Sequence, residues 1–155
     1  MTLQEKPQLT QLGHHVEQPA TPAEAILETF ANPHPNRNYV VRLTAPEFTS
    51  LCPVTGQPDF ACIIVDYVPQ NSLVESKSFK LFLGSFRNWR TFQEDCTVYI
   101  HNRLQEATQP QFLRVVALWY ARGGITIDVT IQSGALPPQC TPLPLGRTAY
   151  RGGRD

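Results

Sequence analysis

Two β-rich stretches in the C-terminal half constrain the fold more than any other feature of the sequence. They are Phe112–Tyr120 and Ile125–Ile131, and the pair Gly123-Gly124 lies between them. Branched and aromatic side chains favour extended backbone, and adjacent glycines suit the positive φ angles of a tight hairpin turn. The sequence therefore predicts an antiparallel hairpin here. A similar run, Phe60–Val68, predicts another strand that ends before Pro69.

Two helical patterns occupy the middle of the chain. In the first, apolar residues recur at spacings of four and three from Phe79 to Phe86. The second begins near Phe92, where Thr91 and Glu94 have the spacing of a capping box. We therefore expect two central helices.

The N-terminal part predicts two more elements. Thr21 and Glu24 have a second capping-box spacing, which favours a short helix that ends near Ala31. Tyr39–Leu43 is rich in branched and aromatic residues and predicts a strand. The whole order indicates an α+β fold in which a four-stranded antiparallel sheet carries helices on one face. Because such a sheet has two exposed edges, we expect oligomerisation to cover them.

The length of 155 residues suits one domain. Residues 1–20 are polar and aperiodic, which predicts a flexible tail. We place a single domain at residues 21–132 and a Pro/Gly-rich C-terminal tail at residues 133–155.

The charge balance argues against polyanionic partners. Thirteen basic residues match thirteen acidic ones, so the formal net charge is zero. Proteins that bind nucleic acid usually rely on excess positive charge. No apolar run approaches the ~20 residues that span a bilayer, and the first residues lack a signal-peptide pattern. We therefore expect a cytoplasmic protein that binds neither nucleic acid nor a membrane.

The cysteines and histidines do not have the spacing of a structural zinc site. No C-x-x-C pair occurs, and reduced thiols are expected in the cytoplasm. The residues concerned are Cys52, Cys62, Cys96, Cys140, His14, His15, His34 and His101. The sequence predicts that no metal is bound.

Cys52 is a candidate nucleophile because it lies in a Pro/Gly-rich loop between two expected strands. Such a loop can hold a thiol rigidly and leave it accessible. The alternative is an inert, buried loop cysteine. Asp59 follows at the start of the next strand, where it could equally be a surface turn residue.

Val74–Lys80 and Phe92–Cys96 are two further candidate segments. From Ser76 to Gln93 the chain has four basic residues and no acid, which suits a phosphate-bearing ligand near a helix start. A solvated basic helix face is the alternative. In the second segment, one acid could cap the helix and another could accept hydrogen bonds from a planar ligand. No glycine-rich nucleotide motif occurs in the chain.

Together these segments resemble the 7-cyano-7-deazaguanine reductase family of the queuosine pathway. Its hallmark, Glu-Ser-Lys-(Ser/Ala)-x-Lys, is matched by Glu75–Lys80. The resemblance runs from about Asn36 to Asp128 and includes the Cys52 loop, Phe92–Cys96 and Arg122–Gly124. The order of these segments is that of the short, single-module members.

This resemblance implies the tunnelling fold, in which sheets from several subunits join into a barrel and ligands bind between subunits. It also implies that Cys52 adds to the nitrile carbon as a thioimide and that Asp59 protonates the nitrogen. Two hydrides from NADPH then complete reduction to the amine, with no metal. Covalent addition divides one difficult reduction into easier steps.

The resemblance further implies two sets of binding residues. Substrate contacts correspond to Val74, Glu75, Ser76, Gln93 and Glu94, and cofactor contacts correspond to Ser76, Lys77, Arg122 and Gly123. Some members carry histidine where this chain has Gln93, which leaves more of the acid chemistry to Asp59.

Three other functions remain open from the residues. A zinc-dependent cyclohydrolase of the same fold would also bind a guanine-like ring. A cysteine hydrolase could pair Cys52 with His101, although His101 is expected to face solvent or a partner from mid-helix. A non-catalytic pterin-binding or purine-binding module would need no nucleophile.

Overall fold

The computed structural model describes residues 9–145. Within that range, the two helices lie between the first and last pairs of strands of the main sheet, as expected. The strands are β1 (Thr29–Ala31), β2 (Val41–Leu51), β3 (Pro58–Val68), β4 (Ser72–Val74), β5 (Phe112–Arg122) and β6 (Ile125–Gly134). The helices are α1 (Ser76–Gly84) and α2 (Gln93–Thr108). Neither helix in this part of the chain is long and apolar enough to cross a bilayer.

The main sheet has the strand order β2-β3-β5-β6, and every neighbouring pair is antiparallel. Gly123 and Gly124 form the β5–β6 turn with φ angles of 57° and 80°. Both angles lie where side chains with a Cβ are strained, which explains the paired glycines. The predicted α+β class, the four-stranded sheet and the hairpin are confirmed. Closure of a barrel by other subunits stays a prediction.

One face of the sheet carries both helices and most of the apolar core. Trp119 is fully buried there, and its ring meets Phe48 edge to face at a centroid distance of 5.8 Å. Phe82 and Phe86 extend this packing from the α1 side, with ring centroids 5.3 Å apart. The sheet and helices therefore form one layered unit.

The other face of the sheet is organised by a buried ion cluster. Asp66 on β3 pairs with Arg42 on β2 and Arg114 on β5, each at 2.6 Å. Burial would raise the pKa of Asp66, but hydrogen bonds from the two arginines hold it below its usual value. Arg42 also donates to the carbonyl of Pro144, so residues near the C-terminal end of the described range lie on this face.

The expected helix between Thr21 and Ala31 is wrong. Thr21 and Glu24 form only a turn, with a backbone hydrogen bond of 3.2 Å between them. Thr29–Ala31 is instead a strand that pairs with Ser72–Val74. Pairing with a distant segment has overridden the local helix signal.

The capping box expected at Thr91 and Glu94 is also wrong. The α2 N-cap is Phe92, which has no side-chain capping bond. The Thr91 amide donates to the Leu51 carbonyl, and its hydroxyl donates to the carbonyl of Phe92. Glu94 is exposed in the first turn of α2, where its charge still favours the positive end of the helix.

The strands are longer than their sequence patterns indicated. β2 extends to Leu51, with an irregular register between Ala45 and Phe48 where Pro46 interrupts the pairing. β6 continues to Gly134, beyond the boundary expected at residue 132. Gln11, His14 and Gln18 make hydrogen bonds to α1, as described below. The division into a domain and two tails stays a prediction.

Candidate active site

Cys52 lies in a tight loop that joins β2 to β3. Its backbone N–H donates to Gln57 O at 2.8 Å, and its carbonyl accepts from the Gly56 N–H at 2.9 Å. Gly56 has a φ of +70°, and a Cβ at this position would lie 2.9 Å from the Arg90 guanidinium. The positive φ therefore favours glycine here, whereas the flexible end of the Arg90 side chain can move aside. The loop holds Cys52 in one backbone geometry.

The linker between α1 and α2 fixes the start of this loop. Leu51 donates its N–H to the Trp89 carbonyl at 2.9 Å and accepts from the Thr91 N–H at 3.0 Å. These bonds extend the sheet by one residue on the side where β2 would otherwise be an open edge. They connect the position of Cys52 directly to the start of α2.

The Cys52 thiol has hydrogen-bond donors placed to stabilise its anion. The Thr55 hydroxyl makes the largest contribution, followed by the backbone N–H groups of Thr55 and Val54, with a further bond from Arg122. These donors lower the pKa of Cys52 to about 7, against the opposing effect of burial. The thiolate is the nucleophilic form, so a substantial fraction of Cys52 is reactive at neutral pH.

Asp59 is the first acidic residue of β3, and its exposed fraction is 3%. Its Oδ1 atom lies 3.2 Å from Nε of Arg122, at the end of β5. Burial raises the pKa of the Asp59 carboxyl above its usual value, although Arg122 and a hydrogen bond from Gln93 oppose this effect. Asp59 is thus better able than an exposed carboxyl to carry a proton near neutral pH.

Gln93 joins this group from the first position of α2. Its side chain is buried and donates to the Asp59 carboxylate. Its Oε1 atom is buried without a hydrogen-bond partner. The structure therefore brings Cys52, Asp59, Arg122 and Gln93 together at one end of the sheet, beside the positive end of a helix.

The second group of expected site residues lies near the opposite end of β3 from Asp59. The Val74 N–H donates to the Tyr67 hydroxyl oxygen at 3.4 Å, and Glu75 follows. Tyr67 and Asp59 are eight residues apart on β3, which corresponds to about 26 Å along the strand. One chain therefore does not bring Val74, Glu75, Ser76 and Lys77 together with Cys52.

Glu75 is the N-cap of α1 in addition to its expected binding role. Its carboxylate accepts from the Lys77 and Ser78 N–H groups, both at 2.8 Å. Glu75 is 4% exposed, whereas Ser76 is exposed beside it. The Glu75 carboxylate consequently has a structural function, which a mutation would remove together with any ligand contact.

Lys77 is held by residues N-terminal to the main sheet. Its Nζ donates to the Gln11 carbonyl at 2.6 Å and also to the carbonyl of His14. The Gln18 side chain also contacts α1, where its amide group donates to the Leu81 carbonyl at 2.6 Å. Any anionic ligand at Lys77 would compete with these carbonyl acceptors for the ammonium group.

Three other expected site residues lie on accessible surface. The Arg122 side chain is 49% exposed despite its contact with Asp59. Gly123 follows in the exposed hairpin turn, and Glu94 is exposed on the first turn of α2. Arg122, Gly123 and Glu94 are thus available to ligands.

Known proteins of one family are similar to this chain. The family described as QueF-like protein matches residues 58–137, which is more than half of the chain. A protein of Syntrophobacter fumaroxidans named NADPH-dependent 7-cyano-7-deazaguanine reductase is 69% identical over 94% of each chain. A Synechococcus protein of the same name is 59% identical, over 93% of this chain and 83% of its own length. The chain belongs to the QueF family.

A solved structure is also similar to this QueF-family chain. It is the apo form of the archaeosine synthase QueF-Like, with a TM-score of 0.58 and 26% sequence identity. The match covers 63% of this chain and 96% of the other. An Agrobacterium fabrum protein, again named NADPH-dependent 7-cyano-7-deazaguanine reductase, is 57% identical over 93% of this chain and 94% of its own. The family resemblance seen in the sequence is confirmed.

The structure of this QueF-family chain contradicts a Cys52–His101 dyad within one subunit. His101 is buried, and its Nε2 lies 3.0 Å from Ser133 Oγ, so the expectation that it faces solvent is wrong. Ser133 pairs with Leu113, which in turn pairs with Tyr67. His101 therefore lies at the end of the sheet opposite to Cys52.

The remaining cysteines differ from Cys52 in their surroundings. Cys96 is buried against the core on α2, and burial raises the pKa of its thiol. Cys62 is buried with apolar residues on the other face of the sheet. Within residues 9–145, no three His, Cys, Asp or Glu side chains are grouped to hold a metal ion.

Two residues at the site of this QueF-family chain were missed by sequence reasoning. Thr55 follows Cys52 by three residues, and the thiolate accepts from the N–H groups two and three positions on, as an N-cap side chain does. That spacing was a usable signal. Ser50 lies opposite Asp59 in the β2–β3 ladder, and only the strand register reveals this.

Proposed function

We propose that this chain reduces the nitrile of 7-cyano-7-deazaguanine to the amine of 7-aminomethyl-7-deazaguanine with NADPH, in queuosine biosynthesis. Relatives that share 57–69% of their residues with it carry the name of that activity. The enzyme acts in the cytoplasm on a small-molecule substrate. Its net charge of zero agrees with a substrate that is neither nucleic acid nor membrane.

The observation that carries this proposal is the pairing of an acidic thiol with a weakly acidic carboxyl. Cys52 has a pKa of about 7, whereas burial raises the pKa of Asp59. Arg122 contacts both groups. A nucleophile that ionises near neutral pH is therefore held beside a carboxyl that keeps its proton to a higher pH than an exposed one does, and addition to a nitrile requires both groups.

The first step is addition of the Cys52 thiolate to the nitrile carbon. The sulfur forms a C–S bond, one π bond of the nitrile breaks, and Asp59 gives its proton to the nitrogen. The product is a thioimide, which contains a C=N group that accepts hydride more readily than the nitrile. When the thioimide carbon accepts a first hydride, the C–S bond breaks, the Cys52 thiolate leaves and an imine remains. The imine takes up a second hydride and a second proton to give the amine, so Asp59 must be reprotonated within each turnover.

Lys77 and Arg122 suit the phosphate groups of NADPH, and each bound NADPH molecule would supply one of the two hydrides. The Lys77 ammonium is only partly buried, and the Arg122 side chain is 49% exposed. Ser76 provides an exposed hydroxyl beside Lys77, and the backbone at Gly123 has no side chain to obstruct a ligand. Together these groups supply charge and hydrogen bonds for a polyanionic cofactor.

Glu94 and Gln93 are placed to recognise the deazaguanine ring from the start of α2. Glu94 is exposed, so its carboxylate can accept two parallel hydrogen bonds from the ring N–H and the exocyclic amino group. Gln93 reaches inward to Asp59 and has an unused Oε1 acceptor. The pair can therefore fix the ring relative to the acid.

The complete site forms between subunits of a homo-oligomer. Cys52, Asp59, Gln93, Glu94 and Arg122 belong to one end of the subunit, whereas Val74, Glu75, Ser76 and Lys77 belong to the other. About 26 Å of β3 separates these ends, which is far longer than a deazaguanine ring. A neighbouring copy must supply the second group if both contact one substrate.

The activity is tested by following NADPH oxidation with 7-cyano-7-deazaguanine as the substrate. The wild-type protein should oxidise two NADPH molecules for each amine formed, and Cys52→Ala should not turn over. Retained turnover by Cys52→Ala would contradict nucleophilic catalysis. A metal requirement, together with hydrolysis of a purine ring, would favour the cyclohydrolase alternative.

Shared sites are tested by mixing two variants at an NADPH concentration that is too low for Lys77→Met to turn over. Cys52→Ala subunits keep Lys77, and Lys77→Met subunits keep Cys52, so mixed oligomers regain complete sites if they form between chains. The two variants should be unfolded together and refolded together to exchange subunits. Activity in the mixture above the sum of the separate variants supports shared sites, whereas no gain from mixed oligomers contradicts them.

A further inference from the structure

Ser50 faces Asp59 across the β2–β3 ladder, and the two residues are direct register partners. Phe48 and Ala61 form the next pair on the same face, which packs against the helices. Side chains of directly opposed residues typically have Cβ atoms about 4.5–5.5 Å apart. The Ser50 hydroxyl is therefore next to the carboxyl that serves as proton donor.

Ser50 is fully buried, and its hydroxyl has no hydrogen-bond partner. Two other buried atoms in residues 9–145 also lack a hydrogen bond, namely Gln93 Oε1 and Asp59 Oδ1, the second of which has an ion-pair contact with Arg122. All three belong to one group, because Gln93 bonds to Asp59 and Ser50 opposes it in the sheet. Buried polar atoms without partners are rare in folded proteins, so their concentration here points to function.

We propose that Ser50 is a positioning residue for Asp59, and that its hydroxyl, which makes no hydrogen bond in this conformation, turns to bond this carboxyl both before and after proton transfer. A hydroxyl can donate to the ionised carboxylate and accept from the protonated acid after a simple rotation. The proposal rests on the proposed function, since it assigns Asp59 a proton to deliver. It adds a residue that contacts neither the substrate nor the cofactor.

The chemistry of the step explains why a hydroxyl is useful at this position. When Asp59 gives its proton to the nitrile nitrogen, a neutral carboxyl becomes a buried anion. Arg122 lies 3.2 Å from Oδ1 on one side, and the Gln93 amide donates from α2. Ser50 supplies a further donor from β2 for the new charge, and hydrogen bonds to charged groups are stronger than those to neutral ones.

The titratable groups around Asp59 come from three elements. Arg122 at the end of β5 favours the ionised carboxylate, and it also contacts Cys52 in the loop after β2. Cys96 on α2 is near enough for Asp59 to raise the pKa of its thiol. Because Cys96 stays neutral, it adds no charge near Asp59. Arg122 contributes positive charge, and the ionisation of Cys52 is what can change the pH response of Asp59.

Ser50→Ala removes the hydroxyl and leaves the strand unchanged, and Ser85→Ala is the matched control. Ser85 is also buried, but its hydroxyl bonds to the Phe82 carbonyl in α1. Loss of a bond to a charged group should change its ionisation equilibrium about tenfold or more. We therefore expect Ser50→Ala to lower kcat by about that factor while the KM values change little, and Ser85→Ala to keep wild-type kcat.

A titration that needs no substrate separates this proposal from the proposed function. The carboxyl of Asp59 is followed by NMR in protein labelled at aspartate carbons, with Asp59→Asn used to assign the signal. Ser50→Ala should raise the pKa of Asp59 by about one, and Ser50→Thr should restore it by returning a hydroxyl. An unchanged pKa in a folded Ser50→Ala protein would overturn the positioning role, even if the wild-type enzyme reduces the nitrile. A normal titration response with no nitrile reduction would instead reject the proposed function alone.

Discussion

Arg122 Nε lies 3.2 Å from Asp59 Oδ1, and the same guanidinium group hydrogen-bonds to the Cys52 thiol. One side chain therefore joins the proposed nucleophile to the proposed acid. Its positive charge lowers the pKa of both groups, but burial outweighs it at Asp59. Arg122 consequently has a local electrostatic role as well as its proposed contact with NADPH.

Alkylation of Cys52 should follow the thiolate fraction. Because the pKa is lowered to about 7, the rate with iodoacetamide should rise through neutral pH and level off above it. Thr55→Val removes the hydroxyl that makes the largest contribution, so its half-maximal rate should move to higher pH. The rates can be measured by peptide mass spectrometry.

Cys62 and Cys96 provide internal controls for this measurement. Their exposed fractions are 1% each, against 6% for Cys52, and burial raises the pKa of Cys96, so neither should label at a comparable rate in the folded protein. Preferential labelling of either residue would show that the reactive thiol has been misassigned. An identical pH profile for wild type and Thr55→Val would contradict the hydrogen-bond explanation.

The nitrile substrate should form a covalent adduct with Cys52 before NADPH is added. Addition needs only the thiolate and a proton, and Asp59 can supply the latter. Intact-mass spectrometry should therefore show a gain of one substrate mass in the wild type and none in Cys52→Ala. Asp59→Asn should accumulate the adduct more slowly, because its side chain has no carboxyl proton. Equal masses for wild type and Cys52→Ala after incubation would rule out the thioimide.

Lys77 and Arg122 should select NADPH over NADH. The 2′-phosphate offers charge that a cationic side chain can bind, so Lys77→Met should mainly raise the KM for NADPH. Arg122→Ala should raise that KM and also lower kcat, because it removes the bond to Cys52 and the ion pair with Asp59. Steady-state kinetics with both cofactors measure these effects separately.

Arg37→Gln is a suitable control for the loss of a positive charge, since Arg37 is exposed and lies outside the proposed site. It should leave the preference for NADPH unchanged. A Lys77→Met, Arg122→Ala double variant with wild-type affinity for NADPH would reject both residues as cofactor contacts.

Local sequence patterns predicted the β5–β6 hairpin and the two helices. The Phe112–Ile131 hairpin followed from its strand residues and two glycines, and both helices followed from apolar spacing. The helix expected before Ala31 failed because Thr29–Ala31 pairs with the distant β4 segment. No local pattern contains the hydrogen bonds that such pairing supplies.

Sequence reasoning proposed candidate residues for the site but not their arrangement. Family resemblance proposed Cys52 and Asp59, and their short separation along the chain indicated proximity. Glu75 is far from Cys52 because β3 runs from the Cys52 loop to Tyr67, which contacts Val74. Spacing along the sequence does not show this separation. Ser50 was overlooked because its importance depends on register with Asp59.

Glu94 should be the main recognition element for the deazaguanine ring. Each hydrogen bond to its charged carboxylate contributes roughly 1.5–3 kcal/mol, so Glu94→Ala should weaken substrate binding about tenfold to a few hundredfold. Glu94→Gln should also bind poorly, because its amide would direct a donor towards a ring donor. Calorimetry with Cys52→Ala as the background measures binding without the covalent step.

Asp95→Ala is the matched control for Glu94, since both acids are exposed in the first turn of α2. Each favours the positive end of the helix by typically 0.3–1 kcal/mol, so the two variants should lose similar stability in thermal unfolding. Glu94 makes no capping bond in the structure, which leaves its ligand contact as the distinguishing function. If folded Glu94→Ala and Asp95→Ala bind the cyanodeazaguanine equally well, Glu94 contributes only to the helix, and ring recognition must come from other residues.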